Sequence, residues 1–140
     1  MSCLFNTLSP FIDISSKELR DNICSYIKTN PNIFDDIPVE ECVIWTGEKF
    51  KDLKGYVKHM KKHSSWGGAI EIKAFCNMYN KIVIVRDKTG SNKKKEENKV
   101  EFLPNGFSKD KIKIVKNGNN LTLSYPEKIK IKWNGGHYWT

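Results

Sequence analysis

The spacing of apolar and polar residues predicts helices in the first half of the chain. Ser15 and Glu18 stand at the separation of a capping box, and Asn30-Pro31 ends the helical pattern that follows. Apolar residues recur between these points at the spacing of one helix face: Leu19, Ile23, Tyr26 and Ile27. We therefore expect an amphipathic helix between these two signals.

Three other segments have helical character. Cys3 lies in a short apolar segment that ends near Pro10, which predicts a short helix with the cysteine in its first turn. Two helical stripes follow. One is at Phe50, Leu53, Tyr56, Val57 and Met60, and the other lies in the segment Ala69–Tyr79, at Ile70, Ala74, Phe75 and Met78. The Gly67-Gly68 pair separates these two predicted helices.

The second half of the chain changes to strand patterns. Ile82–Val85 is a β-branched run typical of a strand that is buried on both faces. Ile112–Val115 and Leu121–Leu123 flank an Asn-Gly turn, which predicts an antiparallel hairpin. Ile129–Trp133 alternates strictly and predicts a final strand that leads to the last residues of the chain.

The order of these elements, helices before strands, predicts an α+β domain rather than a doubly wound parallel sheet. A chain of 140 residues has the size of one domain, and we assign residues 1–140 to it. The charge-dense segment from Ser91 to Asn98 has no apolar anchor, so we expect a mobile surface loop there.

The charge and hydropathy of the chain limit the classes of partner that we expect it to bind. The formal net charge is +8, but of the 24 basic residues only Arg20 and Arg86 are arginine, the residue favoured for bidentate contacts to phosphate and guanine. We therefore expect a solvated lysine surface and no specific nucleic acid partner. No apolar run approaches the ~20 residues that span a bilayer, and the N-terminus has no leader pattern. The expectation is a cytoplasmic protein without a membrane partner, in the host cytoplasm if its source is viral.

Candidate chemistry begins with one cysteine and one histidine. A thiol at a helix N-terminus beside an imidazole becomes a good nucleophile, because the dipole and the positive charge favour the thiolate. Cys3 and His137 could form such a pair. Spacing alone does not single them out from the other pairs that four cysteines and three histidines allow, and a buried cysteine with a surface histidine is the alternative.

The remaining cysteines and histidines carry weaker signals. Cys24, Cys42 and Cys76 lie among apolar residues without CxxC spacing, so we expect reduced thiols in or near the core. His59 and His63 stand four residues apart, a spacing that can chelate zinc, but no third ligand is close in sequence. We predict that they lie on a solvated helix face and that the protein needs no metal.

Several segments resemble the motifs of one family, in its order and approximate spacing. They are Ser2-Cys3-Leu4-Phe5-Asn6, Leu19-Arg20 with Tyr26-Ile27 and Asn30-Pro31, Trp66-Gly67-Gly68-Ala69-Ile70-Glu71-Ile72, Ile82–Val85, and Gly136-His137-Tyr138. The chain resembles the OTU (ovarian-tumour) family of cysteine deubiquitinases. The resemblance spans nearly the whole chain, and the Trp-Gly-Gly motif is its most specific part.

The resemblance implies a papain-like cysteine protease fold, with N-terminal helices packed on a small, mainly antiparallel sheet. It implies that Cys3 is the nucleophile and His137 the general base in cleaving the bond after the C-terminal glycine of ubiquitin. The residues expected to shape the substrate groove are Trp66, Gly67, Gly68 and Tyr138. For the Trp-Gly-Gly motif, a buried indole and close packing at the glycines is an equal alternative. The implied partners are conjugates of ubiquitin or a ubiquitin-like protein, without an organic cofactor, and we expect a monomer.

The chain departs from the family at the residue that orients the histidine. Members usually have Asp or Asn two residues after it, where this chain has Trp139, or an Asp about three residues before the cysteine, where it has only Met1 and Ser2. An indole cannot accept a hydrogen bond from an imidazole N–H. Three interpretations stay open: a Cys–His dyad with another group orienting His137, a catalytically impaired module that binds ubiquitin, and a natural start upstream of Met1. The sequence determines neither the preferred ubiquitin linkage nor activity on ubiquitin-like modifiers.

Overall fold

A computed structural model describes residues 3–30, 33–34, 53–62, 67–88, 99–107, 113–117, 120–124, 126–135 and 137–140. The helices in these ranges are α1 (Cys3–Leu8), α2 (Ser16–Thr29), α3 (Leu53–Met60) and α4 (Ala69–Tyr79), with a 3₁₀ helix (Ser9–Ile12) directly after α1. The strands are β1 (Lys81–Asp87), β2 (Lys99–Phe102), β3 (Lys113–Asn117), β4 (Asn120–Ser124), β5 (Glu127–Trp133) and β6 (Tyr138–Trp139). Helices precede strands, as the α+β prediction requires.

The helix α2 begins and ends at the signals in its sequence. Ser15 Oγ accepts a hydrogen bond from the Glu18 backbone N–H at 3.1 Å, which satisfies one of the donors left open at a helix start. At the other end, the Asn30 N–H donates to the Tyr26 carbonyl at 2.9 Å. The predicted stripe is buried at Leu19, Ile23 and Ile27, and half-buried at Tyr26.

The sheet has a parallel pair at its centre. Its strand order is β2-β1-β5-β6, in which β1 and β5 run parallel while β2 and β6 are antiparallel edge strands. Ile82–Val85 in β1 is buried at all four positions, as its β-branched run predicted. Ile129 and Ile131 of β5 are also buried. Lys128, which precedes them, and Lys130, which lies between them, are exposed. The sheet therefore presents one continuous apolar face to the helices.

One further predicted element, the hairpin, is confirmed, whereas two edge strands of the sheet were not predicted. β3 and β4 form the predicted antiparallel hairpin, with Asn117 paired to Asn120 across the turn. The predicted surface loop from Ser91 to Asn98 lies outside the described residues. The edge strands β2 and β6 were not predicted, because β2 is exposed at three of its four positions and β6 is only two residues long.

A buried polar network joins the helices. Arg20 of α2 is 2% exposed, donates from Nη1 to the Met60 carbonyl at 2.7 Å, and lies with Cζ 4.2 Å from the centre of the Phe5 ring. Glu71 of α4 is 1% exposed and accepts hydrogen bonds from the Tyr56 hydroxyl at 2.5 Å and the Gly68 N–H at 2.7 Å. Burial lowers the pKa of Arg20, and the nearby Glu71 charge opposes that shift. These contacts tie the four described α-helices together.

The two arginines of the chain offer a matched test of this network. Arg20→Leu removes a buried cation together with its hydrogen bond to Met60, so we expect a loss of about 3 kcal/mol in the free energy of unfolding. Arg86→Leu changes an exposed residue of β1 and should alter stability by less than about 0.5 kcal/mol. Urea unfolding of both variants measures the difference. Equal effects of the two substitutions would contradict the structural role of Arg20.

Candidate active site

The helix α1 carries Cys3 as its first residue and lies against the end of the chain. Its buried residues, Leu4, Phe5 and Leu8, pack in the core and fix the rotation of the helix. On the side toward β6, Thr7 Oγ1 donates a hydrogen bond to the Tyr138 carbonyl at 3.1 Å. Cys3 lies one helical turn before Thr7, and His137 lies one residue before Tyr138. The backbone therefore brings together the two sequence segments that contain the predicted nucleophile and base.

A tight turn between β5 and β6 holds the backbone of His137. The His137 N–H donates to Asn134 Oδ1 at 2.8 Å, and the His137 carbonyl accepts from the Asn134 N–H at 3.2 Å. Gly135 has a φ of 98°, a conformation that L-residues with side chains rarely adopt. His137 itself is exposed. The Asn-Gly sequence thus presents the imidazole at the surface on a fixed main chain.

Tyr138 links β6 to the core. Its backbone pairs with Trp133 of β5, its ring centre lies 6.3 Å from that of Trp133, and its half-buried side chain packs on the core. Burial raises the pKa of Tyr138 to about 12, and the negative charge of Glu71 adds to the effect. Tyr138 is therefore a neutral packing residue of β6, and its predicted part in substrate binding stays a prediction.

The imidazole of His137 and the indole of Trp139 lie on the same side of β6. Their ring centres are 5.9 Å apart and their planes differ by 17°, so the rings stack. Residues two apart on a strand point to the same face, which explains how the two rings meet. From the sequence, Trp139 was only the position where a hydrogen-bond acceptor is missing, and this contact was not predicted.

An open cleft of about 430 Å³ borders the histidine. Asn6 and Thr7 of α1, Phe11 of the 3₁₀ helix, and His137, Tyr138 and Trp139 are among the residues that line it. Asn6 and Thr7 were not predicted from the sequence as site residues. Their position one turn after Cys3 on a predicted helix was the available signal, because residues three and four apart share a helix face.

The two glycines of the Trp-Gly-Gly motif have different structural roles. A Cβ atom on Gly67 would lie 2.6 Å from Leu4 Cδ2 and 3.2 Å from the Phe5 ring, so the main chain at Gly67 packs directly on α1. Gly68 precedes α4, and among the described residues the atom nearest to a Cβ there would be Glu71 Oε1, at 3.9 Å. Close packing, the alternative considered for this motif, accounts for Gly67. Trp66 lies outside the described residues, so its predicted place in the groove stays a prediction.

Two cysteines have the environment of inert core thiols. Cys24 and Cys76 are fully buried, as predicted, and burial raises the pKa of each thiol to about 12. His59 of α3 is half-buried, which differs from the solvated position predicted for it, while Cys42 and His63 lie outside the described residues. In the described part of the chain, no three potential metal ligands cluster. None of the helices described is long and apolar enough to cross a membrane.

The family model of the OTU-like cysteine proteases matches residues 2–138 of the chain. A protein of Schizosaccharomyces pombe, provisionally named ubiquitin thioesterase otu1, is 31% identical over 90 residues. This match covers 64% of the present chain and 24% of the relative. The matched part of the chain thus corresponds to about a quarter of the length of that curated relative.

Solved structures of OTU domains share the fold. An OTU domain in complex with ubiquitin is 26% identical with a TM-score of 0.60, over 98% of this chain and 61% of that one. The viral OTU domain protease of Dera Ghazi Khan virus is 16% identical with a TM-score of 0.55, over 98% of this chain and 71% of its own. The OTUD1 OTU domain is 15% identical with a TM-score of 0.56, over 98% of this chain and 76% of that one. These similarities confirm the predicted α+β OTU-like fold.

The packing at Gly67 predicts different effects of the same substitution at adjacent positions. Gly67→Ala forces a methyl group against the fully buried Leu4 and Phe5, so we expect a loss of about 1–3 kcal/mol in the free energy of unfolding. Gly68→Ala places its methyl group no closer than 3.9 Å to any described residue and should cost less than about 1 kcal/mol. Thermal and urea unfolding of the two variants provide the measurement. A larger loss in Gly68→Ala would contradict this account of the motif.

The buried thiols predict how stability responds to alkaline pH. The ordinary thiol pKa of 9.0 applies to the unfolded chain, whereas Cys24 and Cys76 have a pKa of about 12 in the fold. Below pH 9 these thiols are neutral in both states; between pH 9 and 12 only the unfolded chain loses their protons, so stability falls across that window. Urea unfolding from pH 8 to 11 should show the decline. In the Cys24→Ala variant this decline in stability with pH should be shallower. An unchanged decline would contradict the raised pKa of the Cys24 thiol.

Proposed function

The chain belongs to the OTU-like cysteine protease family, and on this premise we propose that it is a deubiquitinase that cleaves the isopeptide or peptide bond after the C-terminal glycine of ubiquitin. The observation that carries the proposal is the contact between α1 and β6. The hydrogen bond from Thr7 Oγ1 to the Tyr138 carbonyl joins the helix that starts at Cys3 to the strand that follows His137. The names of the yeast relative and of the ubiquitin complex support ubiquitin as the modifier.

The proposed reaction needs a thiolate and a proton carrier. Cys3 loses its proton to His137 and attacks the carbonyl carbon of the scissile bond, which forms a tetrahedral intermediate. When the intermediate collapses, His137 protonates the departing amine and ubiquitin remains bound to Cys3 as a thioester. His137 then removes a proton from water, the resulting hydroxide attacks the thioester, and the acid product leaves as Cys3 is regenerated. No step requires a metal or an organic cofactor.

The exposure of His137 fits this role. A general base must reach both the nucleophile and the leaving group, so its ring must stand at the surface while its main chain stays fixed. The two hydrogen bonds between His137 and Asn134 meet the second requirement, and the open cleft beside the ring meets the first. Cys24 and Cys76 are unsuitable as nucleophiles because their buried thiols remain protonated at neutral pH.

The second candidate function is a catalytically impaired module that binds ubiquitin through the same surface. It is favoured by the indole of Trp139, which stands where many family members have a residue that accepts a hydrogen bond from the histidine. Such a module would retain the fold and the cleft and lack turnover. Both candidates predict ubiquitin binding, so a measurement of binding alone does not separate them.

A ubiquitin probe with a C-terminal electrophile tests the nucleophile directly. We expect the wild-type protein to form a covalent adduct at Cys3, located by peptide mass spectrometry, and Cys3→Ala to form none. His137→Gln should slow adduct formation by at least about 100-fold, because the base that activates the thiol is lost. Hydrolysis of a ubiquitin amide substrate should likewise be absent in Cys3→Ala and slowed in His137→Gln.

Matched controls separate these effects from misfolding. Cys24→Ala removes a buried thiol and His59→Gln removes a half-buried imidazole of α3, and both variants should react with the probe at nearly the wild-type rate. Circular dichroism confirms that each variant is folded. An adduct that persists in Cys3→Ala would refute the assignment of the nucleophile. A folded wild-type protein that binds ubiquitin without reacting would favour the impaired module.

A further inference from the structure

The alternation of side chains along the central strands divides the sheet into two faces. The core cluster takes alternate residues from β1 and β5, namely Val83, Val85, Ile129 and Ile131, so these side chains point toward the helices. Successive residues of a strand point to opposite faces of its sheet. The even-numbered residues of β1 and β5, with their pairing partners in β2 and β6, therefore form the face directed away from the helices, which we call the outer face.

Cations collect at one end of the outer face. Arg86 of β1 pairs with Lys99 of β2 on one side and with Lys132 of β5 on the other, and Lys130 stands two residues before Lys132. Arg86, Lys99 and Lys130 are exposed, and Lys132 is half-buried. Neighbouring strands lie about 5 Å apart, so these cations form one surface about 10 Å wide. We call it the basic patch (Arg86, Lys99, Lys130 and Lys132).

The basic patch has little negative charge of its own. In the described part of the chain its four side chains form no salt bridge, and Glu101 is the single acidic residue at the outward positions of the sheet. Like charges that stand directly opposite each other on neighbouring strands are destabilising, and Arg86 has one on each side. An anionic partner would remove this repulsion when it binds.

The basic patch continues to the edge of the candidate active site. Lys132 pairs with Trp139 of β6, and the indole ring centre lies 5.9 Å from that of the His137 imidazole. In the proposed reaction, His137 protonates the amine of the protein from which ubiquitin is removed. The surface beside the departing amine thus adjoins the strand that carries Lys132.

The chemistry of the patch favours carboxylates over nucleic acid. Three of its four cations are lysines, which act as point charges and lack the planar fork with which arginine binds phosphate and guanine. Sites for single-stranded nucleic acid also use aromatic rings on which bases stack. The outward positions of β1, β2 and β5 carry no aromatic residue, and the indole of Trp139 at the adjoining edge is stacked on His137.

We propose that the basic patch binds acidic segments of the proteins from which ubiquitin is removed. The enzyme then prefers conjugates in which acidic residues lie near the modified lysine. This inference rests on the proposed function for the identity of the partner, but the binding of an acidic segment to the patch can be measured without cleavage.

Fluorescence anisotropy with a labelled glutamate-rich peptide tests the patch directly. We expect the wild-type protein to bind the peptide and added salt to weaken the binding, because the contacts are between exposed charges. The triple variant Arg86→Gln/Lys99→Gln/Lys130→Gln removes three exposed cations of the patch and should weaken binding by about 10-fold. A wild-type protein that does not bind the peptide would overturn the proposal.

A control variant matches the change in net charge. Lys17→Gln/Lys28→Gln/Lys58→Gln removes three exposed lysines from α2 and α3, and it should bind the peptide as the wild-type protein does. Equal losses in the two triple variants would show that binding follows net charge alone and would overturn the proposal. If circular dichroism shows that the patch variant is unfolded, Lys99→Glu, at an exposed position of the edge strand β2, takes its place.

A labelled oligothymidine tests nucleic acid as the alternative partner. The substitutions in the patch should weaken its binding less than they weaken binding of the glutamate-rich peptide. A larger loss for the oligothymidine would overturn the assignment to acidic protein segments and favour nucleic acid.

Kinetics extend the test to substrates. Two conjugates, each with ubiquitin in isopeptide linkage to the lysine of a labelled peptide, differ only in whether glutamate or glutamine surrounds that lysine. The wild-type and control proteins should cleave the glutamate conjugate with a kcat/KM about 10-fold higher, and the patch variant should lose this preference. Equal kcat/KM values in the wild-type protein would overturn the inference and leave the proposed function intact. If neither conjugate is cleaved but the peptide binds at the patch, the proposed function fails and the docking surface stands.

Discussion

The packing of α1 is the interaction on which the candidate site depends. Three fully buried side chains, Leu4, Phe5 and Leu8, fix the rotation of this short helix, and Gly67 allows another segment of main chain to pack directly against it. A helix of six residues forms too few backbone hydrogen bonds to be stable in isolation, so its position is set by these tertiary contacts. Because Cys3 is its first residue, the placement of the proposed nucleophile is a consequence of core packing.

The buried charges extend this support to the other helices. Arg20 lies close to the face of Phe5 and bonds to the end of α3, while Glu71 joins α3 to the start of α4 through Tyr56 and Gly68. Buried charges are costly unless they are paired and hydrogen-bonded, and in the described part of the chain no buried polar side-chain atom lacks a hydrogen-bond partner. The network therefore holds specific helix ends together, where apolar packing alone would allow small sliding movements.

The edge strand β6 (Tyr138–Trp139) and His137, the residue before it, combine core packing with the candidate chemistry. Tyr138 faces the core and remains neutral, since burial raises its pKa to about 12. Its neighbours His137 and Trp139 stack on each other beside the cleft, which Tyr138 also lines. A change in the register of β6 by one residue would reverse these roles, so the hydrogen bond between Thr7 and Tyr138 contributes to the site by fixing that register.

The sequence by itself determined the elements with strong periodic patterns, and it supplied the prediction that Cys3 and His137 are the reactive pair. The capping signal of α2, the bounds of α4, the buried run of β1 and the hairpin of β3 and β4 were all readable from local sequence, because each depends on neighbouring residues. The motifs around Cys3 and His137 indicated the family for the same reason. Only the tertiary structure decided the parallel pairing of β1 with β5, the close approach of Gly67 to α1 and the stacking of His137 on Trp139. These contacts join residues whose side chains meet only after the chain has folded, and the pattern of apolar positions along one segment does not specify which distant segment it will contact.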